Sequence, residues 1–221
     1  MKVRIRIRHR ADCSNSINQF HKQIMETISS IDELWNGQNV EKVELENAGS
    51  CSGSNLTPVL KDGFEGAVSY IFRDENYLSD KAMYDDFMSL DIDTDKVDYT
   101  SFILDVFPQL VKAMNAYRAT VILDEELDLG DYDEIVDQVE KTEKDIDGRD
   151  TVYRINSVNY FDRELCLRAF ELSPEQIVER LNGKVKSVFL LMHGVLLITS
   201  SEIMSRDRIE RIDIEVRTLL N

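Results

Sequence analysis

The sequence predicts an α+β protein: one domain over 1–221, with a mainly antiparallel mixed sheet, a C-terminal hairpin and helices packed on the sheet. Three observations carry this. The first is Lys186–Leu220, where two apolar runs, Val188–Met192 and Val195–Ile198, are separated only by His193 and Gly194. A two-residue gap ending in glycine marks a tight hairpin, and runs that do not alternate predict strands covered on both faces, central in a sheet. The second is Lys2–Arg8, where Val3, Ile5 and Ile7 alternate with Arg4, Arg6 and Arg8 as a half-buried strand with a basic outer face. The third is Ser173-Pro174-Glu175-Gln176, an N-cap, a proline at the first helical position and a capping-box partner.

Taken in order, the strand at Lys2–Arg8 is followed by a helix from Ser16 to Leu34. Ser16 and Gln19 have capping-box spacing, and Ile17, Phe20, Ile24, Ile28 and Ile31 form its apolar stripe, with Gly37 as the stop. Residues 40–46 suit a short strand, and the Ser/Gly-rich stretch 47–55 reads as a loop. A strand is expected over Gly66–Arg73. A helix over Ser79–Leu90 would turn Ala82, Met83 and Phe87 inward and Asp80, Asp85 and Asp86 outward. After a polar connector, Asp91–Asp98, the helical spacing of Phe102, Val106, Leu110 and Met114 meets Pro108, which must kink or divide that helix. Tyr117–Leu123 reads as a strand. Asp131–Ile146 reads as an acidic helix with Ile135, Val136, Val139 and Ile146 facing in, closed by Gly148. Val152–Tyr160 and Glu164–Phe170 are expected to pair as a hairpin through 161–163. The helix begun by Ser173 ends at Gly183. In the last helix Ile209, Ile212, Val216 and Leu219 share one stripe.

With 43% apolar and 31% charged residues the chain has the composition of a soluble globular protein, and no apolar run reaches the roughly 20 residues that span a bilayer. Met1–Arg10 is basic but leads into no signal-peptide core, so a cytoplasmic location is expected. Cys13, Cys51 and Cys166 are widely spaced and odd in number, which fits neither a disulfide framework nor a zinc site. The net charge is −16, and its distribution is informative. Segments 74–98 and 124–147 together hold 21 of the 42 acidic residues and 4 of the 26 basic ones, so the rest of the chain is close to neutral. The acidity is regional. One charge run is usually a solvated face, whereas two suggest a negative surface that meets something positive.

Catalytic patterns are few. Gly49, Cys51 and Gly53 fit a nucleophile elbow with cysteine in place of serine, but no helix follows, and the downstream base would have to be His193 in a turn. Asp91, Asp93 and Asp95 begin like a calcium loop, yet Lys96 stands where glycine is needed and Phe102 where a bidentate glutamate belongs. His21 is a lone helical histidine with Met25 at i+4, which suits packing better than metal binding. No phosphate loop, HExxH or Ser/His/Asp set is present, so no metal, no cofactor and no enzyme activity is expected. The three strand arginines lack aromatic partners, which argues against nucleic acid and for pairing with nearby carboxylates.

The alternating first strand, the acidic helices, the block Phe161-Asp162-Arg163-Glu164-Leu165-Cys166 and the closing Gly194–Ile198 strand plus helix resemble, across the whole chain, the immunity proteins of bacterial toxin–immunity systems. That resemblance implies a binding protein that neutralises a cognate toxin, often a basic nuclease, by direct contact. The partner is then a protein with a basic surface, neither nucleic acid nor membrane. The candidate contact residues are Tyr84, Asp85, Asp86, Asp91, Asp93 and Asp95 in the first acidic block and Tyr132, Asp133, Glu134 and Asp137 in the second, with Tyr77, Tyr84 and Tyr132 as possible aromatic anchors. Two alternatives stand beside it: an enzyme using Cys51 as nucleophile, and a DNA mimic whose carboxylates imitate phosphates.

Overall fold

A computed structural model describes residues 1–39, 43–74, 78, 85–123 and 129–221. The chain divides into two compact units, Met1–Ala116 and Tyr117–Asn221. The class is α+β, and every strand pairing within a unit is antiparallel.

In the first unit the strands are β1 (Lys2–Arg10), β2 (Glu46–Ala48), β3 (Cys51–Asn55), β4 (Phe64–Ile71) and β5 (Asp85–Asp93), in the order β2-β3-β4-β5-β1. The alternation of β1 decides its pairing. Val3, Ile5 and Ile7 lie opposite Ile92, Leu90 and Met88 on the buried face, while Arg4 and Arg10 lie opposite Asp91 and Asp85 on the other. Helix α1 (Ile17–Ser29) starts where Ser16 Oγ accepts from the Gln19 N–H, and it buries Phe20, Ile24, Met25 and Ile28. A second helical segment, α2, runs from Tyr99–Ser101 through a wide turn at Phe102–Val106 into Phe107–Ala113, and packs against α1. Pro108 explains the wide turn. Its ring crowds the carbonyl one turn back, and the helix opens so that the Phe107 N–H reaches Phe102 O, five residues away.

Several expectations fail in this unit: α1 stops at Ser29 rather than Leu34, and the described residues 43–45 form no strand. The Ser/Gly-rich stretch is a β2–β3 hairpin, turned at Gly49 with φ +62°, because small residues suit a strand as well as a loop once a neighbour supplies the hydrogen bonds. The helix expected over 79–90 is, from Asp85 onward, strand β5; residues 79–84 lie outside the described residues. The apolar residues Met88, Leu90 and Ile92 have period two, and the partner alternation in β1 selects that period over the helical one.

The second unit has β6 (Arg118–Leu123), β7 (Val158–Asp162), β8 (Ser187–Leu191) and β9 (Gly194–Ile198) in the order β6-β7-β9-β8. Its helices are α3 (Leu129–Thr142), α4 (Arg163–Phe170), α5 (Pro174–Leu181) and α6 (Arg206–Leu220). Phe161, Leu165, Cys166, Ile177, Leu181, Val195, Leu197, Val216 and Leu220 meet in its core. The capping box of α5 forms in full: Ser173 Oγ accepts from the Gln176 N–H and the Gln176 side chain accepts from the Ser173 N–H.

Here too the structure departs from expectation. Glu164–Phe170 is helix α4, not a strand, because the Asp162 carboxylate accepts from the Leu165 N–H and caps it, leaving Leu165 and Cys166 on the buried side. Helix α3 ends at Thr142, short of Ile146. Of the hairpin, β9 is fully buried between β7 and β8, but β8 is an edge among the described residues and exposes Phe189 and Leu190. Glycine at 194 also serves another purpose than positive φ. The turn's left-handed residue is Met192 (φ +52°), while a Cβ on Gly194 would lie 2.1 Å from Phe161 O. The glycine lets β7 and β9 approach.

Candidate partner-binding surface

The first acidic block is largely occupied by the chain's own cations. Asp86 is 0% exposed; its carboxylate accepts from Arg73 Nη2 at 2.5 Å, Arg73 Nη1 at 2.9 Å and the Ile71 N–H at 3.0 Å. Asp85 is buried with Arg8 at 4.0 Å. Asp91 takes the Arg4 guanidinium in a fork, at 2.6 and 2.8 Å. The outward orientation expected for Asp85 and Asp86 is therefore corrected: on a strand facing the arginines of β1 and Arg73, they turn to those cations. The arginine stripe finds carboxylates, as expected for Arg4. Asp93 is half-buried and accepts from the Asp95 N–H, and Asp95 is exposed. Tyr77 and Tyr84 lie outside the described residues.

The second block is different. One residue of α3, Asp131, fixes the helix to its unit. Its carboxylate accepts from Arg154 Nη1 (2.6 Å) and Nη2 (3.0 Å), from Arg206 Nη2 on α6 (3.0 Å) and from the Tyr153 hydroxyl (3.3 Å). Burial alone would raise this carboxyl, but the two guanidiniums outweigh it and hold it below the ordinary range. With that side tied down, the rest of the helix faces water. Tyr132, Val136 and Val139 recur at i, i+4 and i+7, with Tyr132 66% and Val139 39% exposed and Val136 half-buried. Asp133, Asp137 and Glu140 repeat the same spacing one residue on, all exposed. The helix thus shows an apolar stripe beside an acidic one. Val139, expected to face in, faces out. Glu134 is exposed and accepts from the Tyr153 hydroxyl at 2.7 Å and from Gln138 Nε2 at 3.2 Å.

Sequence reasoning missed Asp131, Tyr153, Arg154 and Arg206, the groups that orient this helix. The signal was weak: Asp131 is one carboxylate among twelve in its segment. It also missed a buried polar cluster in which Asn156 Nδ2 donates to Thr120 Oγ1 at 2.9 Å and Asn159 Nδ2 to Asn156 O at 2.7 Å, satisfying groups that would otherwise oppose burial.

Cys51 opens β3 opposite Ile71, and the next helical piece is a single 3₁₀ turn at Thr57–Val59, so the strand–turn–helix shape of a nucleophile elbow is not formed around it. His193 is exposed in the β8–β9 turn. His21 is buried and bridges the Tyr70 hydroxyl (3.0 Å) and Val43 O (3.1 Å), a packing role. Cys166 is buried, which pushes its thiol up to about 12. Among the described residues there is no cluster of His, Cys, Asp or Glu fit to hold a metal ion, and no helix long and apolar enough to cross a membrane.

No family model matches the chain, and no curated protein matches it in sequence. Among solved structures it is similar to a Pseudomonas aeruginosa T6SS protein, PA0821, with a TM-score of 0.55 at 7% identity. The match covers 99% of this chain and 76% of the other. At that identity the likeness is one of fold.

Proposed function

We propose that this chain is an immunity-type binding protein of the cytoplasm that neutralises a basic protein toxin by direct contact through α3. The observation that carries the reading is the pair of stripes on that helix. Tyr132, Val136 and Val139 supply apolar anchoring surface, and Asp133, Asp137 and Glu140 beside them supply the field that steers a cationic partner. A fold shared with a T6SS protein is compatible with this class. The carboxylates of β5 contribute less, since the described ones are mostly paired internally. Neither the enzyme nor the DNA-mimic alternative has an observation of this kind behind it.

The test is association kinetics against a candidate basic toxin domain, sought first in the genes that neighbour this one, at two salt concentrations. Asp133→Lys with Asp137→Lys slows association and leaves dissociation nearly unchanged, because exposed charges act on encounter. Tyr132→Ala does the reverse. An association rate indifferent to salt and to the reversals overturns the reading.

A further inference from the structure

The stripes face outward, but the other side of α3 borders a cleft of about 570 Å³ within the second unit. It is lined by Glu134 and Gln138 of α3, by Glu210, Asp213, Ile214 and Arg217 of α6, and by Ile146, Val152 and Tyr153 from the chain between those helices. Its volume falls within the range of sites that enclose a small molecule or a side chain.

The charges of the cleft are not equally free. Arg217 spends its Nε on Asp213 at 2.9 and 3.0 Å and its Nη2 on Val152 O and Tyr153 O at 2.7 and 3.0 Å. Arg154 belongs to Asp131, and Glu210 holds Arg206 at 3.1 Å. That leaves Glu134. Its two contacts, the Tyr153 hydroxyl and Gln138 Nε2, are neutral donors, and among the described residues no cation pairs with it. A carboxylate accepts at about four lone-pair sites, so about half of its capacity is unused. The cleft also carries aliphatic surface, the buried Ile146 and Val152 and the 65% exposed Ile214, and its lining sets three carboxylates, Glu134, Glu210 and Asp213, against two guanidiniums, Arg154 and Arg217. A carboxylate in reach of aliphatic surface is complementary to a side chain that has an apolar stem and a cationic head.

We propose that this cleft receives a long basic side chain, an arginine or lysine, of the protein partner, with its stem on Val152 and Ile214 and its head on Glu134. This rests on the reading of α3 as the docking helix, and it adds where the partner's cation goes and which carboxylate receives it. Arginine fits better than lysine, because its planar fork matches a carboxylate edge.

A small probe tests the cleft without the partner. The full chain is titrated with pentylguanidinium and followed by the amide NMR signals of Val152, Tyr153 and Ile214. Saturable shifts confined to the cleft are expected, whereas guanidinium chloride, which has the head without the stem, gives no saturation there. Glu134→Gln keeps an acceptor for Tyr153 and so preserves the helix, and it weakens the probe about tenfold. Asp133→Asn removes the same charge from the outer stripe and leaves the probe's affinity unchanged. Equal losses in the two variants, or shifts spread over all acidic surfaces, overturn the proposal. If the probe does not saturate while the outer-stripe reversals still slow toxin association, the cleft is refuted and the docking helix survives.

Discussion

Replacing Asp131 by Asn tests whether one carboxylate holds the acidic helix in place. The side chain is 14% exposed and Arg154 16%, so their forked pair is well shielded, whereas Arg206 is 38% exposed and easily rehydrated. Removing one partner of a buried pair costs about 3–5 kcal/mol, because the other charge is left desolvated. The Arg206 contact adds less than about 1 kcal/mol, and asparagine retains one acceptor for a guanidinium N–H. The expected loss is about 2–3 kcal/mol by urea denaturation, or about 5–10 °C in Tm for a chain of this length. The pH dependence sharpens the assay. Asp131 is held below its ordinary value in the folded state, so its contribution is complete above the unfolded carboxyl's pKa of about 3.9 and is lost as the pH falls through the folded value. The gap between wild type and Asp131→Asn is therefore full at pH 7 and closes in acid. A loss below about 0.5 kcal/mol at pH 7, the level of an ordinary surface pair, or a gap that persists unchanged at the lowest pH, would refute the argument.

Gly194→Ala places a Cβ 2.1 Å from Phe161 O and 2.7 Å from Asp162 Cα, both backbone atoms of β7. A loss of at least about 3 kcal/mol in urea denaturation is expected, since no side chain can move aside; a near-neutral variant would show that β7 and β9 do not approach so closely. His21 has its protonated form disfavoured by burial, partly offset by the Val43 carbonyl. The unfolded chain binds that proton near pH 6.5 and the folded one only lower, so stability is full above 6.5 and declines as the pH falls below it. His21→Leu should be less stable throughout but lose that slope between about pH 5 and 7, and a slope unchanged in the variant would assign it to other groups.

How much the sequence showed depended on whether a signal was local. The capping box at Ser173, the alternation of β1 and the closing hairpin are written within a few residues, and each forms. The failures are positions where a distant partner chose between two readings. Phe87 fits a helix with Met83 as well as a strand with Ser89, and the pairing of β5 with Ile7 and Ile5 in β1 decides. Leu165 and Cys166 read as strand until Asp162 caps the turn before them. For the surface, charge density located both blocks but not which carboxylates were spoken for. Asp86 and Asp133 look alike in sequence, and only the position of Arg73 tells the buried one from the exposed one.

That difference assigns the acidity two physical roles. Carboxylates such as Asp86, Asp91 and Asp131 face guanidiniums at hydrogen-bonding distance, where little solvent intervenes and added salt screens weakly. The carboxylates of Asp133, Asp137 and Glu140 are exposed on one side of α3, where the Lys141–Asp137 contact at 3.4 Å is the one cation pair they make among the described residues. Their field reaches about 8 Å at physiological ionic strength and shrinks as salt rises. Salt therefore separates the roles in one protein. It leaves the paired carboxylates' share of stability nearly intact while it shortens the reach of the outer stripe's field, and with it the steering proposed for that stripe. A fold that spends its arginines on internal acids keeps those acids from repelling one another, and so it can carry an exposed acidic stripe on one helix without destabilising itself. The −16 net charge is then the residue of that arrangement, and under the function proposed above it is the part of the acidity open to a partner.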